Sequence, residues 1–333
     1  MMATETFSPE RVSMAGVEET ARMIAPEVVR TPVLRSPRLN DILGLSLWFK
    51  AETLQVAGAF KYRGACSFLM RLSAEQRNRG VVAFSSGNHA QAVAAAANRF
   101  GVSAKIVMPS DAPAIKLEGT RAWGADVITY NRMTESREAI AGEIARQEGR
   151  TLIPPFDHPW TILGQATAGL EFYQQLAAQQ VLLDVLLIPC SGGGLTAGVS
   201  TVFRAHSPQT QLWAVEPHGY DDTAQSLATG RRVSIQPPSQ PTLCDSLALT
   251  EPGHLTLAMN QHLLNGVQTA SDASVLTAMR LIGQHLKLLV EPGGAIGLAA
   301  VLEHPARFTA GQQVGMVLSG ANVDPHVWAR AHS

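Results

Sequence analysis

From residue 81 to residue 147 the chain alternates short apolar runs with longer helix-like stretches, and this alternation limits the fold more than any other feature. Val81–Phe84 reads as a strand, Asn88–Phe100 as an alanine-rich helix, Ala104–Met108 as a strand and Ala112–Trp123 as a helix. Ala125–Thr129 and Thr134–Gln147 repeat the pair. Strands separated by whole helices cannot be joined as hairpins, so they pair in parallel through βαβ crossovers. The flanking sequence follows the same habit. Met14–Val29 reads as a helix covering the entrance to the fold, Leu47–Phe49 as a strand, and Gly58 to Leu72 as a helix. Beyond residue 160 the expected helices are Thr161–Leu176, Leu195–Arg204, Ser271–His285 and Gly293–Leu302; the expected strands are Val181–Ile188, Leu212–Glu216 and Val314–Leu318. The reading is α/β, parallel sheets with flanking helices.

The chain has 333 residues, more than one small core can use, so two lobes around one cleft are expected. Apolar residues make up 46% and charged residues 16%, a packed globular composition. A net charge of −1 carries no basic footprint for nucleic acid, and no apolar run reaches membrane-spanning length. Met1 to Glu10 has neither a basic nor an apolar leader region, so no signal peptide is expected. Cys66, Cys190 and Cys244 lie far apart without metal-type spacing, which fits a reducing cytoplasm.

Four clusters of small or hydrogen-bonding residues follow strands or open helices. In parallel sheets, ligands gather beyond the carboxyl ends of strands, so the four can line one cleft. Gly58–Ala65 places Lys61 just inside a helix beside Phe60. A buried lysine has a lowered pKa and a nucleophilic amine, whereas the octet alone reads equally as a solvated charge. Ser191, Gly192, Gly193 and Gly194 open a helix and suit a phosphate cradle; a tight turn is the plainer alternative. Ser85, Ser86, Gly87, Asn88 and His89 either cap a helix or receive a small carboxylate. Ser319-Gly320-Ala321-Asn322 is a turn, or brings a hydroxyl to a ring nitrogen. Glu216, Asp221 and Asp222 form a solvated acidic loop or a site for a hard cation. Glu291 precedes a helix and can face the cleft, and Cys190 reads as a small buried side chain. His158, His218, His262 and His285 stand singly and read as surface or core residues.

Taken together, these motifs resemble those of the fold-type II pyridoxal-phosphate enzymes, on the branch of the threonine/serine dehydratases and serine racemase. The resemblance runs from about Thr31 to Asp324. It implies a two-domain, tryptophan synthase beta-like fold, with a large domain from residues 1–79 and 161–333 and a small domain, 80–160, inserted in it. Lys61 matches the Schiff-base lysine and Phe60 the aromatic residue packed on the cofactor. Asn88 matches the residue bonding the cofactor's 3-hydroxyl. Ser85, Ser86 and His89 match the loop for the substrate carboxylate, and Ser86 also matches the second acid/base of the racemases. Ser191, Gly192, Gly193, Gly194 and Leu195 match the phosphate loop, and Ser319 the serine facing the pyridine nitrogen. Glu216, the Tyr220 carbonyl and Asp222 match a site for magnesium or another divalent cation. Ala59 stands where the family usually has serine, and Ser191 where it has the first of four glycines.

The resemblance implies β-elimination from a β-hydroxy amino acid such as L-threonine or L-serine, giving a 2-keto acid and ammonia. Phenylserine and 3-hydroxyaspartate are bulkier alternatives, and racemisation, β-replacement or ligand binding alone are other outcomes. A homodimer is expected because family members commonly form one. The chain stops at Ser333, without the C-terminal regulatory domain of biosynthetic threonine dehydratases, so isoleucine feedback is not expected.

Overall fold

The computed structural model describes residues 7–112 and 114–333. Part of the expectation of a leaderless N-terminus falls on residues 1–6, and Pro113 belongs to the expected helix Ala112–Trp123; both lie outside the described residues. The strands are β1 (Val33–Leu34), β2 (Ser46–Ala51), β3 (Val81–Phe84), β4 (Ala104–Pro109), β5 (Asp126–Tyr130) and β6 (Thr151–Leu152). They continue with β7 (Val185–Pro189), β8 (Gln211–Pro217), β9 (Gly266–Ala270) and β10 (Gln313–Leu318). Six form one sheet in the order β1-β2-β10-β7-β8-β9, and four form another in the order β5-β4-β3-β6. Every pairing is parallel except β1 with β2.

The period of two along each strand explains why both faces of the large sheet are covered. Val185 and Leu187 of β7 pack in one core with Met279, Ile282, Ile296 and Leu298 from helices Asp272–Leu286 and Pro292–Glu303. Leu186 and Ile188 pack in another with Phe172, Leu176, Val199 and Phe203 from helices Pro159–Ala177 and Gly194–His206. The small sheet repeats the arrangement. Val81 and Ala83 face the Lys61–Met70 and Asn88–Arg99 helices, while Val82 faces Ala141 and Ala145 of Arg137–Glu148.

Most expected elements form with shifted ends. The first helix spans Met14–Ile24 and stops short of Val29, whose backbone N–H and C=O bind the Gln55 side chain instead. It buries Val17 against Ile162 and Leu163 rather than covering an entrance. The helix expected from Gly58 begins at Lys61, because Gly58 has φ +70° and Ala59 pairs as an isolated bridge with Gly320. The strand expected from Val181 starts at Val185, after a loop that leaves Leu182 exposed. Helices Asp222–Thr229 and His254–Leu263 and strand β9 are additions; each is short, with too few apolar repeats to stand out.

Strand order places the loops. From β7 the chain steps outward to β8 and β9, then returns to β10 on the other side of β7. The loops after β7 and β10 therefore leave the sheet side by side, at the place where the order reverses.

Candidate active site

Lys61 is built on that edge. The Phe60 N–H donates to the Ser319 carbonyl at 3.1 Å, and the Ala321 N–H donates to the Gly58 carbonyl at 2.8 Å, so the lysine loop is laced to the exit of β10. The Lys61 ammonium donates to the Pro155 carbonyl at 2.7 Å and lies 5.2 Å from the Phe60 ring centroid. Its ammonium end is enclosed although the residue as a whole is half-buried, and burial lowers its pKa to about 8 against the opposing pull of Glu291. This is not the environment of a solvated surface charge. Two residues on, buried Arg63 fastens the same helix through paired contacts to Glu52 (2.7 and 2.9 Å) and Glu171 (2.8 and 2.8 Å).

The Ser85–His89 loop enters from the end of β3. Asn88 does not cap its helix; Gly87 holds that position without a side-chain bond. The Asn88 amide instead donates to Glu291 Oε1 at 2.6 Å and accepts from Asn322 Nδ2 at 2.8 Å, joining three distant segments. His89 donates Nε2–H to the Ile153 carbonyl at 3.0 Å; burial, and next the Lys61 charge, hold its pKa down at about 3, so the ring is neutral. Ser85 and Ser86 are half-buried, and the Ser85 hydroxyl accepts the Gly87 N–H at 3.1 Å.

The glycine loop lies behind Pro155. The Phe156 ring occupies the space a side chain at Gly192 would need, its carbons 2.4 Å from such a Cβ. Gly193 takes φ +86°, a region that favours glycine. The N–H groups of Ser191, Gly192 and Gly193 meet no acceptor among the described residues, and the Gly194–His206 helix starts there with its positive end. Ser319 is buried at the exit of β10. Glu291 is buried with Oε2 unpartnered; burial, reinforced by Asp245, raises its carboxyl to about 7. All four clusters and Glu291 thus converge.

Lys116 and Asp245 join the site without a sequence signal. The Lys116 side chain, 5% exposed, makes an ion pair with Asp245, which is 47% exposed. Its ammonium lies 3.5 Å from where a Cβ on Gly87 would sit. The four single histidines lie elsewhere in structural or surface settings: His158 Nδ1 accepts the Trp160 N–H at 3.1 Å, and His218 lies 3.0 Å from Glu303. Cys190 is buried, and burial pushes its thiol up, away from reactivity.

The acidic group is separate. Glu216 accepts the Thr223 and Ala224 N–H groups, each at 3.0 Å, at the start of the Asp222–Thr229 helix. Asp222 is buried with neither carboxylate oxygen partnered. Burial, with the neighbouring Asp222, raises Glu216 to about 8; burial raises Asp222 to about 7. Tyr220 is buried beside them in sequence, whereas Asp221 is half-buried and engages Gln225. No three acidic, histidine or cysteine side chains gather as metal ligands among the described residues. The third ligand of the expected set is a backbone carbonyl.

Parallel sheets that bring an enclosed lysine amine and a glycine cradle to one strand edge define a class, the α/β enzymes built around a phosphate-bearing cofactor. The chain belongs to the pyridoxal-phosphate dependent enzymes, whose family profile matches residues 24–320. It is 41% identical over 308 residues to the L-threo-3-hydroxyaspartate ammonia-lyase of Saccharomyces cerevisiae, with 92% of each chain covered. It is 40% identical over 312 residues to the serine racemase of Arabidopsis thaliana, again with 92% of each covered. The solved structure of T.th. threonine deaminase superposes with a TM-score of 0.89 at 41% identity, covering 94% of this chain and 99% of that one. The fold is that of the fold-type II enzymes. The cradle and the enclosed amine fit the family's cofactor: donors without acceptors suit its phosphate, and an amine with a lowered pKa suits its aldehyde.

Proposed function

We propose that this chain is a pyridoxal-phosphate-dependent ammonia-lyase that removes the β-hydroxyl of a β-hydroxy amino acid, releasing a 2-keto acid and ammonia. The observation that carries this reading is the Lys61 amine, enclosed and drawn to about pKa 8 between the Ser85–His89 loop and the exit of β10. When bound, pyridoxal phosphate supplies the electron sink that lets an amino acid lose its α-proton. The N–H groups of Ser191 to Leu195 hold its phosphate, Phe60 packs on its ring, and the second N–H of Asn88 Nδ2 is free for its 3-hydroxyl. Ser85, Ser86, Asn88 and the backbone N–H of His89 receive the substrate carboxylate; the His89 ring, neutral and with its one N–H spent on the Ile153 carbonyl, supports the loop from behind. Lys61 Nζ takes the α-proton as base. Lys61 Nζ then returns that proton to the β-hydroxyl, which leaves as water, and the released enamine takes up water to give the keto acid and ammonia. Ser319, buried at the exit of β10, would present a neutral hydroxyl to the pyridine nitrogen and, unlike a carboxylate, would not hold a proton there, a setting that suits elimination better than transamination.

L-serine and L-threonine are the simplest substrates. A second reading, 3-hydroxyaspartate, is favoured by the buried Lys116 ammonium beside the substrate loop and by the name of the yeast relative. Ser86 also permits racemisation, as the name of the plant relative suggests. Keto-acid release measured over a panel of β-hydroxy amino acids, with chiral analysis of recovered substrate, separates the three. Keto acid from none of them overturns the lyase reading; D-enantiomer without keto acid moves it to racemase.

The unpartnered Asp222 carboxylate, with Glu216 and the Tyr220 carbonyl, is our proposed seat for a divalent cation such as magnesium. Residues 80–160 form, in this reading, a small domain inserted into a large one; all four strands of the smaller sheet fall within 81–152. Three free, buried cysteines accord with a reducing compartment such as the cytoplasm, and family resemblance with a homodimer.

A further inference from the structure

A glycine loop that aims its N–H groups inward must turn its carbonyls outward, and buried carbonyls need donors. Here the Gly192 carbonyl takes its donors from the His254–Leu263 helix and its cap, and the Gly193 carbonyl, which already accepts the Ala197 N–H at 2.8 Å, takes a second donor from the same helix. The Thr256 hydroxyl donates to the Gly192 carbonyl at 2.6 Å, the Gly253 N–H donates to the same oxygen at 3.4 Å, and Asn260 Nδ2 donates to the Gly193 carbonyl at 3.4 Å. The fit is close: a Cβ on Gly193 would lie 2.8 Å from Asn260 Nδ2.

That helix is itself held from almost a hundred residues away. Asp157 Oδ2 accepts the His254 N–H at 2.8 Å, and Oδ1 accepts those of Leu255 and Thr256 at 2.9 and 3.1 Å. Three N–H groups that a helix start leaves unpaired are thereby satisfied, and the carboxylate faces the positive end of the helix. Gly253 admits it, since a Cβ there would lie 2.4 Å from Asp157 Oδ1. The two preceding residues touch the site directly: Pro155 holds the Lys61 ammonium, and Phe156 packs behind Gly192.

We propose that Asp157 is a positioning residue for the phosphate loop. It fixes the His254–Leu263 helix, whose Thr256 and Asn260 hold the loop's carbonyls outward, so that the loop's N–H groups face a phosphate before one arrives. This rests on the reading of Ser191–Leu195 as the phosphate cradle.

The test compares two ligands on apoprotein: pyridoxal phosphate, and pyridoxal, which has the same ring and aldehyde with a hydroxyl in place of phosphate. Dissociation constants are measured for wild type, Asp157→Ala, Asp157→Asn and Thr256→Val. Wild type binds the phosphorylated ligand more tightly. Asp157→Ala and Thr256→Val weaken it about tenfold, the scale of a lost cap or loop bond, and leave pyridoxal within about twofold. Asp157→Asn, which keeps an accepting oxygen, recovers part of the loss. Equal weakening of both ligands in a variant with native circular dichroism means a general structural role and overturns the proposal, as does no weakening at all. Should Asp157→Ala not fold, Asp157→Asn decides, with selective weakening of the phosphorylated ligand expected and equal weakening of both ligands, or none, overturning the proposal; Thr256→Val tests the contact the cap holds in place. A wild type without preference for the phosphorylated ligand overturns the cradle reading itself, before any variant is made.

Discussion

Around Arg63 four charges meet and cancel, three of them buried and Glu171 partly so, whereas Glu216 and Asp222 meet as two buried carboxyls with no ion-pair partner among the described residues. Arg63 and Lys50 face Glu52 and Glu171, with Arg63 paired to both carboxylates and Lys50 at 2.7 Å from Glu171. Burial pushes Glu52 up, but the Arg63 guanidinium and then Lys50 outweigh it, and the carboxyl sits below its ordinary range. Glu216 and Asp222 are as deeply buried, make no ion pair among the described residues, and are pushed up instead, the more distant Arg232 only partly offsetting the burial of Asp222. Burial is common to both clusters, so only the countercharge separates a fixed ionic scaffold from a site with an unmet need. Lys61 lies between the extremes. It shares a helix with Arg63, yet its charge is answered by a carbonyl and by Glu291 rather than by a close ion pair, and its amine is correspondingly easier to deprotonate.

Breaking the compensated cluster should have the largest effect on stability. Arg63→Met leaves Glu52 and Glu171 with Lys50 alone, and should cost about 3–5 kcal/mol, read as a lower urea midpoint. A midpoint equal to wild type would mean that the four charges do not depend on one another.

The uncompensated pair should respond in the opposite direction. A carboxyl whose pKa is higher in the folded than in the unfolded chain binds more protons when folded. Its contribution is full below the ordinary carboxyl range and is lost as pH climbs toward about 7 for Asp222 and about 8 for Glu216. Cation-free Asp222→Asn should therefore flatten the fall in stability over that window and gain about 2 kcal/mol at its upper end. Magnesium should raise the melting temperature of wild type there and leave the variant unmoved. An unchanged pH slope in Asp222→Asn would remove the acidic pair from the account.

Smaller effects sharpen the position of Lys61. Below about 8, the rate at which apoprotein takes up pyridoxal phosphate should rise about tenfold per pH unit, and level off above it. A flat profile would mean that the amine is not the titrating group. Ser319→Asp should shift partition between elimination and side reactions by a few-fold, about 1 kcal/mol in relative barrier, read as product ratios. Unchanged ratios would count against the neutral hydroxyl at the ring nitrogen.

The residues legible in the sequence are those whose place follows from local pattern. Lys61, Ser85–His89, Ser191–Gly194 and Ser319 follow the strand rhythm, and a parallel sheet collects the ends of its strands. Glu291 was legible only as a residue able to face the cleft; its bond to Asn88 spans two hundred residues of chain, which no local pattern encodes. Asp157, Thr256 and Asn260 carry no signal for the same reason, because their residue types are those of ordinary caps and turns. Lys116 reads as one lysine on a small helix until the fold sets it against Asp245. Helix and strand ends missed where a tertiary bond replaced a local one, as at Val29 with Gln55 and at Ala59 with Gly320.

The most direct test of the central claim is an absorbance scan of wild type and Lys61→Ala after incubation with pyridoxal phosphate and removal of the excess, followed by the keto-acid assay. The account predicts a visible band of protein-linked cofactor in wild type, with keto acid and ammonia from at least one β-hydroxy amino acid, and neither band nor product in Lys61→Ala. A wild type that retains no band, or a Lys61→Ala variant that keeps both band and turnover, would contradict it.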